Sequence, residues 1–217
     1  MPLNKSKGNM YRFVTHTWNT VKGVCMHGCS YCYMKRWGRQ PQLRFDEKEL
    51  KTDLGSGNFI FIGSSCDMWA SNIPDEWIIK TLKHCELFDN NTYLWQTKNP
   101  ANIRRILPYK SHVCVTIETN RHFKHIMQYC PSPEERFMQA MKIRHPLMIT
   151  IEPIMDFDHH ILLKWIADMA PYQVNIGADS QRCGLPEPGS EKLYKLIEEI
   201  KLISNVDIKA NLKRLLI

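Results

Sequence analysis

The chain has no uninterrupted apolar stretch approaching the roughly 18 residues that a membrane span requires. Its opening, Met1-Pro2-Leu3-Asn4-Lys5-Ser6-Lys7, is polar and lacks the apolar core of a secretory leader. Both absences lead us to expect a soluble protein of the cytoplasm with no membrane partner. Repeats, low-complexity tracts and linkers are missing too, so one domain spanning residues 1–217 is expected. A second closely spaced cysteine pair is also lacking. Of the eight cysteines, three crowd together at Cys25, Cys29 and Cys32, while Cys66, Cys85, Cys114, Cys130 and Cys183 stand singly. Structural zinc usually takes two such pairs, and disulfide frameworks belong to small secreted domains. Zinc and plain structural cysteines are therefore the lesser readings of this cluster, and a reducing compartment would leave its thiols free for metal.

What is present is enough apolar content, 43%, to bury a full core over 217 residues. The formal charge of +7 suggests an anionic partner such as a nucleotide or nucleic acid. The lysines and arginines are dispersed along the chain, however, so a solvated basic surface accounts for them equally well.

The chemistry is concentrated in Gly23-Val24-Cys25-Met26-His27-Gly28-Cys29-Ser30-Tyr31-Cys32-Tyr33, with Gly23 and Gly28 supplying backbone freedom. Three thiolates spaced x3 then x2 can hold three corners of a four-iron cluster. Ferredoxin clusters fill all four corners with cysteine, so three leave one iron open to a non-protein ligand. This spacing, with an aromatic residue before the last cysteine, resembles the signature of the radical S-adenosylmethionine (SAM) superfamily. The resemblance implies a [4Fe-4S] cluster ligated by Cys25, Cys29 and Cys32, with SAM chelated on the open iron. It also implies reductive cleavage of SAM to a 5'-deoxyadenosyl radical that abstracts hydrogen from a substrate. The cofactors carry this chemistry and the protein orients and shields them.

Along the chain, strands alternate with helices. Tyr11 to His16 is β-prone and precedes the cysteine loop. Phe59-Ile60-Phe61-Ile62, stopped by Gly63-Ser64-Ser65, has the continuous apolar character of a buried parallel strand. Ile73-Pro74-Asp75-Glu76 opens a helix whose Trp77, Ile78, Leu82 and Cys85 share a face. Strands are expected at 92–95, 112–117, 146–151, 173–176 and 206–208. Between them we expect a helix from Asn99-Pro100 carrying Ile103, Ile106 and Leu107. A further helix should open on the capping box Ser132-Pro133-Glu134-Glu135, with others over 160–169, from Gly189-Ser190, and over 210–216. This alternation implies an α/β fold with a mostly parallel sheet and right-handed crossovers, curled into an incomplete barrel. In such folds the chemistry sits at the C-terminal ends of the strands. Here those ends are polar: Ser64 to Asp67, Gln96-Thr97-Lys98, Glu118-Thr119-Asn120, Glu152-Pro153 and Ala178 to Gln181.

Taken with these tips, the runs Thr15 to Asn19, Phe61 to Ser64, Gln96 to Pro100, Ile151-Glu152-Pro153 and Ile176-Gly177-Ala178 make the resemblance more specific. They are similar to a phage-associated and bacterial radical SAM family distantly similar to spore photoproduct lyase. It implies a partial (β/α)6 barrel over nearly the whole chain, in a bacterial or phage-infected host cytoplasm. Carried over by position, Tyr31 would lie beside the adenine, and Gly63, Ser64 and Ser65 would hold the methionyl ammonium in place of an acid that this chain lacks. Glu118 and Asn120 would bind the ribose, and Glu152 would contact SAM or substrate. Lys98 would meet a substrate phosphate, while Cys66 and Cys183 would return hydrogen atoms to a product radical. An electron donor of flavodoxin or ferredoxin type is implied. The alternatives are an activase that installs a glycyl radical on a partner enzyme and a non-catalytic metal-binding module.

Overall fold

The computed structural model describes residues 3–217. Its framework is an eight-stranded sheet. The edge strand β1 (Asn4–Lys5) runs antiparallel to β2 (His16–Trp18). Beyond it every pairing is parallel, through β5 (Phe59–Ile62), β6 (Thr92–Thr97), β7 (Ser111–Thr116), β8 (Leu147–Ile151), β9 (Gln173–Ile176) and β10 (Asn205–Ile208). The sheet does not close, so it is a partial barrel as expected. A separate ribbon pairs β3 (Val21–Lys22) with β4 (Arg44–Phe45) and pinches off residues 23–43 as one long loop carrying the three cysteines.

Helices α1 (Asp75–Glu86), α3 (Pro133–Ala140), α4 (His159–Met169) and α5 (Ser190–Lys201) cover the outside, and the short α2 (Lys124–Met127) lies beside the cysteine loop. The period of two along each strand divides the core. Ile60, Ile62, Tyr93, Trp95, Val113, Val115, Ile149 and Ile151 point outward, where they pack with Leu82, Leu162, Ile166, Leu196 and Ile197 of the helices. Each such side chain contributes about 1.5–3 kcal/mol by leaving water. Phe61, Leu94, Cys114 and Met148 point inward and meet Tyr11 and Val14, which plug the barrel interior.

That plug corrects the first expected strand. Residues 11–15 turn, with the Val14 amide donating to the Tyr11 carbonyl at 3.1 Å, and the strand starts only at His16. Burial of Tyr11 inside the barrel outweighs its β propensity. The helix expected after Asn99 is also a single 3-10 turn, Pro100–Asn102. Pro100 and Pro108 leave too short an interval between them, and Leu107, which precedes a proline, is pushed away from helical geometry. Ser132 and Glu135 form the expected reciprocal capping box of α3, although that helix stops at Ala140 rather than continuing toward Arg144. The C-terminal helix is a 3-10 segment, Ala210–Leu215. No helix among the described residues is long and apolar enough to cross a membrane.

Candidate active site

The parallel strands deliver their polar tips to one end of the barrel, and the 23–43 loop folds over that end. Two glycines make the fit possible. Gly23 has φ +106°, and a Cβ there would stand 2.4 Å from the Gln42 carbonyl oxygen, so only glycine lets the loop start against its own return leg. A Cβ on Gly177 would meet the Glu152 carboxyl carbon at 2.7 Å, so glycine leaves that carboxylate its place.

Between loop and tips lies a cavity of about 990 Å³. Cys25, Cys29, Cys32, Tyr31, Gly63, Ser64, Ser65, Cys66, Lys98 and Glu152 all line it, so the structure brings together ten of the expected residues. The remaining three stand elsewhere: Cys183 is exposed on the loop after β9, and Glu118 and Asn120 lie behind the cavity wall. A smaller depression of about 460 Å³, lined by His112, Leu147 and Tyr172, sits at the opposite strand ends and holds no thiol.

Neighbouring thiols tune the cysteines. Cys29 Sγ lies 3.3 Å from Cys130 Sγ, and that contact brings the Cys29 thiol down to about 6 against the opposing effect of burial. Cys66 acts likewise on Cys25, which falls to about 7. Burial raises the Cys32 thiol. Two of the three thus favour the thiolate, the form of cysteine that ligates metals. Among the described residues, no three His, Cys, Asp or Glu side chains converge on a single point as a lone metal ion would require. The three thiols line the wall of one cavity.

Asn19 organises the Gly63-Ser64-Ser65 turn: its Oδ1 accepts from the Ser65 amide at 3.0 Å and the Ser64 hydroxyl at 3.2 Å. The Ser64 carbonyl accepts from the Tyr33 hydroxyl. Ser65 Oγ and His27 Nδ1 are buried without a partner among the described residues, and both residues line the cavity. Buried polar atoms are paired as a rule, so these two are free to receive a partner from the cavity. His27 Nε2 meets Asp67 at 2.8 Å, and although burial opposes its protonation, that carboxylate holds its pKa up. Asp67 also accepts from Thr97 and from the Lys98 amide at 2.9 Å, tying the cysteine loop to the tips of two strands.

Glu118 is fully buried in a charge network. Oε2 accepts from Arg136 at 2.6 Å, and Oε1 accepts from Lys98 at 3.2 Å and from the Tyr31 hydroxyl. Burial would raise this carboxyl, but Arg136 and Lys98 outweigh it and hold it down at about 2. Asn120 is occupied by Asp158, donating at 3.0 Å and accepting from its amide at 2.7 Å. Glu152 faces the cavity among Lys209 at 2.8 Å, Asn9 at 2.9 Å and Asn211 at 3.2 Å.

Sequence reasoning missed Cys130, Arg136, Lys209 and the His27–Asp67 pair. Cys130 and Arg136 lie about a hundred residues from the loop they serve, and no local pattern marks them. His27, inside the cysteine motif, and Asp67, at a strand tip, were visible as residues but not as partners.

No protein-family model and no curated protein matches this chain. Solved structures do. A spore photoproduct lyase variant with bound AdoMet and dinucleoside spore photoproduct superposes with TM-score 0.61 at 13% identity, covering 95% of this chain and 67% of that one. Another lyase variant gives 0.68 at 12%, covering 95% and 81%. Streptococcus suis SuiB bound to S-adenosylmethionine gives 0.51 at 8%, covering 88% of this chain and 49% of that one. The chain therefore has the partial-barrel fold of these radical SAM proteins.

Proposed function

We propose that this chain is a radical SAM enzyme. The observation that carries the reading is the placement of Cys25, Cys29 and Cys32 on one loop, facing a cavity at the C-terminal ends of a parallel sheet. The AdoMet bound in two of the similar structures supports it.

The three cysteines would hold a [4Fe-4S] cluster, and SAM would occupy the adjoining cavity. When bound, the pair supplies the one-electron cleavage of SAM that yields methionine and a 5'-deoxyadenosyl radical. This chain's residues prepare the space for it. Asn19 fixes the Ser64-Ser65 turn, whose orphaned Ser65 hydroxyl is suited to accept from the methionyl ammonium. Tyr31 would border the adenine. Glu118 would act on the ribose through Lys98 and Tyr31, the two side chains that join it to the cavity wall. Asn120 would support that region from behind through Asp158. Glu152 and Lys209 would face substrate. Of the two thiols proposed to return a hydrogen atom, the cavity favours Cys66 over the exposed Cys183.

The substrate would be anionic, of nucleotide or nucleic-acid type. Lys98 and Lys209 are paired with Glu118 and Glu152, so the support comes from Lys7, Lys35, Arg36 and Arg39, which line the cavity with no ion-pair partner among the described residues, and from the dinucleoside bound by the similar lyase.

Anaerobic reconstitution with iron and sulfide, followed by reduction, should release 5'-deoxyadenosine from SAM. The Cys29→Ala variant should release none above background and hold less iron. Equal release by both proteins would refute the proposal.

A further inference from the structure

Residues 1–45 contain eight lysines and arginines and not one aspartate or glutamate, so this segment carries +8 where the entire chain carries +7. Although these cations are spread along the sequence, the fold gathers Lys7, Lys35, Arg36 and Arg39 at the mouth of the cavity. All four are exposed, and among the described residues none takes part in an ion pair. Lys22 of the same segment shows the contrast: Asp46 at 2.8 Å and Glu49 at 2.6 Å neutralise it.

Aromatic rings stand among the free cations. Tyr33 and Trp37 are 40% and 67% exposed, and the Arg36 guanidinium lies over both rings, 5.9 and 4.9 Å from their centroids. The segment is fastened in place. Residues Tyr33–Trp37 form a 3-10 turn closed by Gly38 at φ +79°. The Tyr33 hydroxyl is tied to Ser64, and the Gln40 side chain donates to the Met34 and Gly38 carbonyls at 3.0 and 3.2 Å. A large exposed indole on a hydrogen-bonded turn beside unpaired cations serves no packing purpose. Cations that track phosphates, with rings on which bases stack, are the means by which proteins grip unpaired nucleic acid.

We propose that the Tyr33–Arg39 rim holds an unpaired stretch of a polynucleotide. Lys7, Lys35, Arg36 and Arg39 take its phosphates and Trp37 stacks on one base, which presents a neighbouring base to the cavity. The inference rests on the enzymatic reading above and adds the substrate's form and its path of entry. An acidic electron-carrier protein is the rival occupant of a basic surface near a cluster. The strand is favoured because the four cations and Tyr33 line the cavity itself and because Tyr33 and the adjacent Trp37 present stacking faces, which a carboxylate-rich protein surface would not use.

The test is fluorescence anisotropy on the whole chain, with a labelled mixed-sequence single strand of about a dozen nucleotides, within the site sizes of single-strand binders, and with the corresponding duplex. The single strand should bind more tightly, and log affinity should fall against log salt with a slope near −3 for four phosphates at about 0.7 each. Arg36→Gln combined with Arg39→Gln should flatten the slope by about 1.4. Trp37→Ala should weaken binding about five-fold or more with the slope unchanged, since losing a stacked base costs about 1–3 kcal/mol. Lys142→Gln with Arg144→Gln, exposed on the far side after α3, should bind as the parent does.

Salt-independent binding, a duplex bound as tightly as the single strand, or rim variants with parental affinity would overturn the proposal. So would rim variants that keep oligonucleotide affinity but lose SAM cleavage with reduced flavodoxin while retaining it with dithionite, because that pattern assigns the surface to the electron carrier. SAM cleavage by the parent protein with dithionite is scored separately. Cleavage without strand binding removes the rim and leaves the enzyme; strand binding without cleavage supports the rim and removes the enzyme.

Discussion

The two faces of the one sheet are built on opposite terms. The outward face is uncharged and aliphatic or aromatic, sealed by helices, with Ile60, Trp95, Val113 and Ile149 fully removed from water. The inward face starts equally apolar at Phe61, Leu94 and Met148, then turns polar toward the strand ends through Gln96, Thr116 and Glu118. Stability comes from the first face through non-directional burial. On the second, buried charge is tolerated only because each group has a partner. The loop of three thiols sits where this gradient reaches its polar limit, so the element with the most chemistry rests on the wall with the least apolar support.

The comparison is broken most severely at Arg136, which is wholly buried and binds Glu118 at 2.6 Å and the Pro131 carbonyl at 2.8 Å. Arg136→Ala leaves a buried carboxylate with only Lys98 and Tyr31, and should cost about 3–5 kcal/mol in urea unfolding. A loss under about 1 kcal/mol would mean that the polar wall is not held by this pair.

Acid titrates the same wall. Glu118 ionises at about 2 in the folded chain against about 4.5 when free. Its depressed pKa contributes stability that is fully present above pH 4.5 and is lost as the pH falls through 2, on the order of 3 kcal/mol in total. Unfolding free energy measured from pH 5 to pH 2 should therefore fall more steeply for the parent than for Glu118→Gln. Parallel curves would show that the network does not favour the ionised carboxyl.

The outward face was legible in the sequence and the inward wall largely was not, for a physical reason. Runs such as Phe59 to Ile62 and Leu147 to Ile151 announce buried strands because apolar periodicity is local, and six of the seven parallel strands fall where it puts them. The cysteine loop was readable because its three donors lie within eight residues. Arg136 with Glu118, Cys130 with Cys29, and Asp67 with His27 join distant segments through geometry that only the folded sheet creates. Tyr11 was misread because the barrel interior needed a plug more than the sheet needed another strand residue.

A gentler probe of the inward wall is Gly177→Ala. The new Cβ would stand 2.7 Å from the Glu152 carboxyl, forcing it away from Lys209 and Asn211. Overpacking of this kind should cost about 1–3 kcal/mol, and affinity for SAM or substrate should fall with it. Unaltered ligand affinity alongside lost stability would confine Glu152 to a structural role.

The smallest effect tests whether the faces are separable at all. Ile149 is fully buried on the outward side, its strand paired between β7 at Val115 and β9 at Val174. Ile149→Val removes one methylene without adding polarity or bulk, and should cost about 0.5–1.5 kcal/mol. The urea midpoint should drop while the slope of the transition holds, since the surface exposed on unfolding barely changes. Iron content and 5'-deoxyadenosine release should stay at parental values, because the inward neighbours Met148 and Thr150 keep their positions on the opposite face of the same strand. If cleavage fell with stability, packing on the outside would be setting the position of the polar tips, and the two faces would have to be treated as one coupled unit.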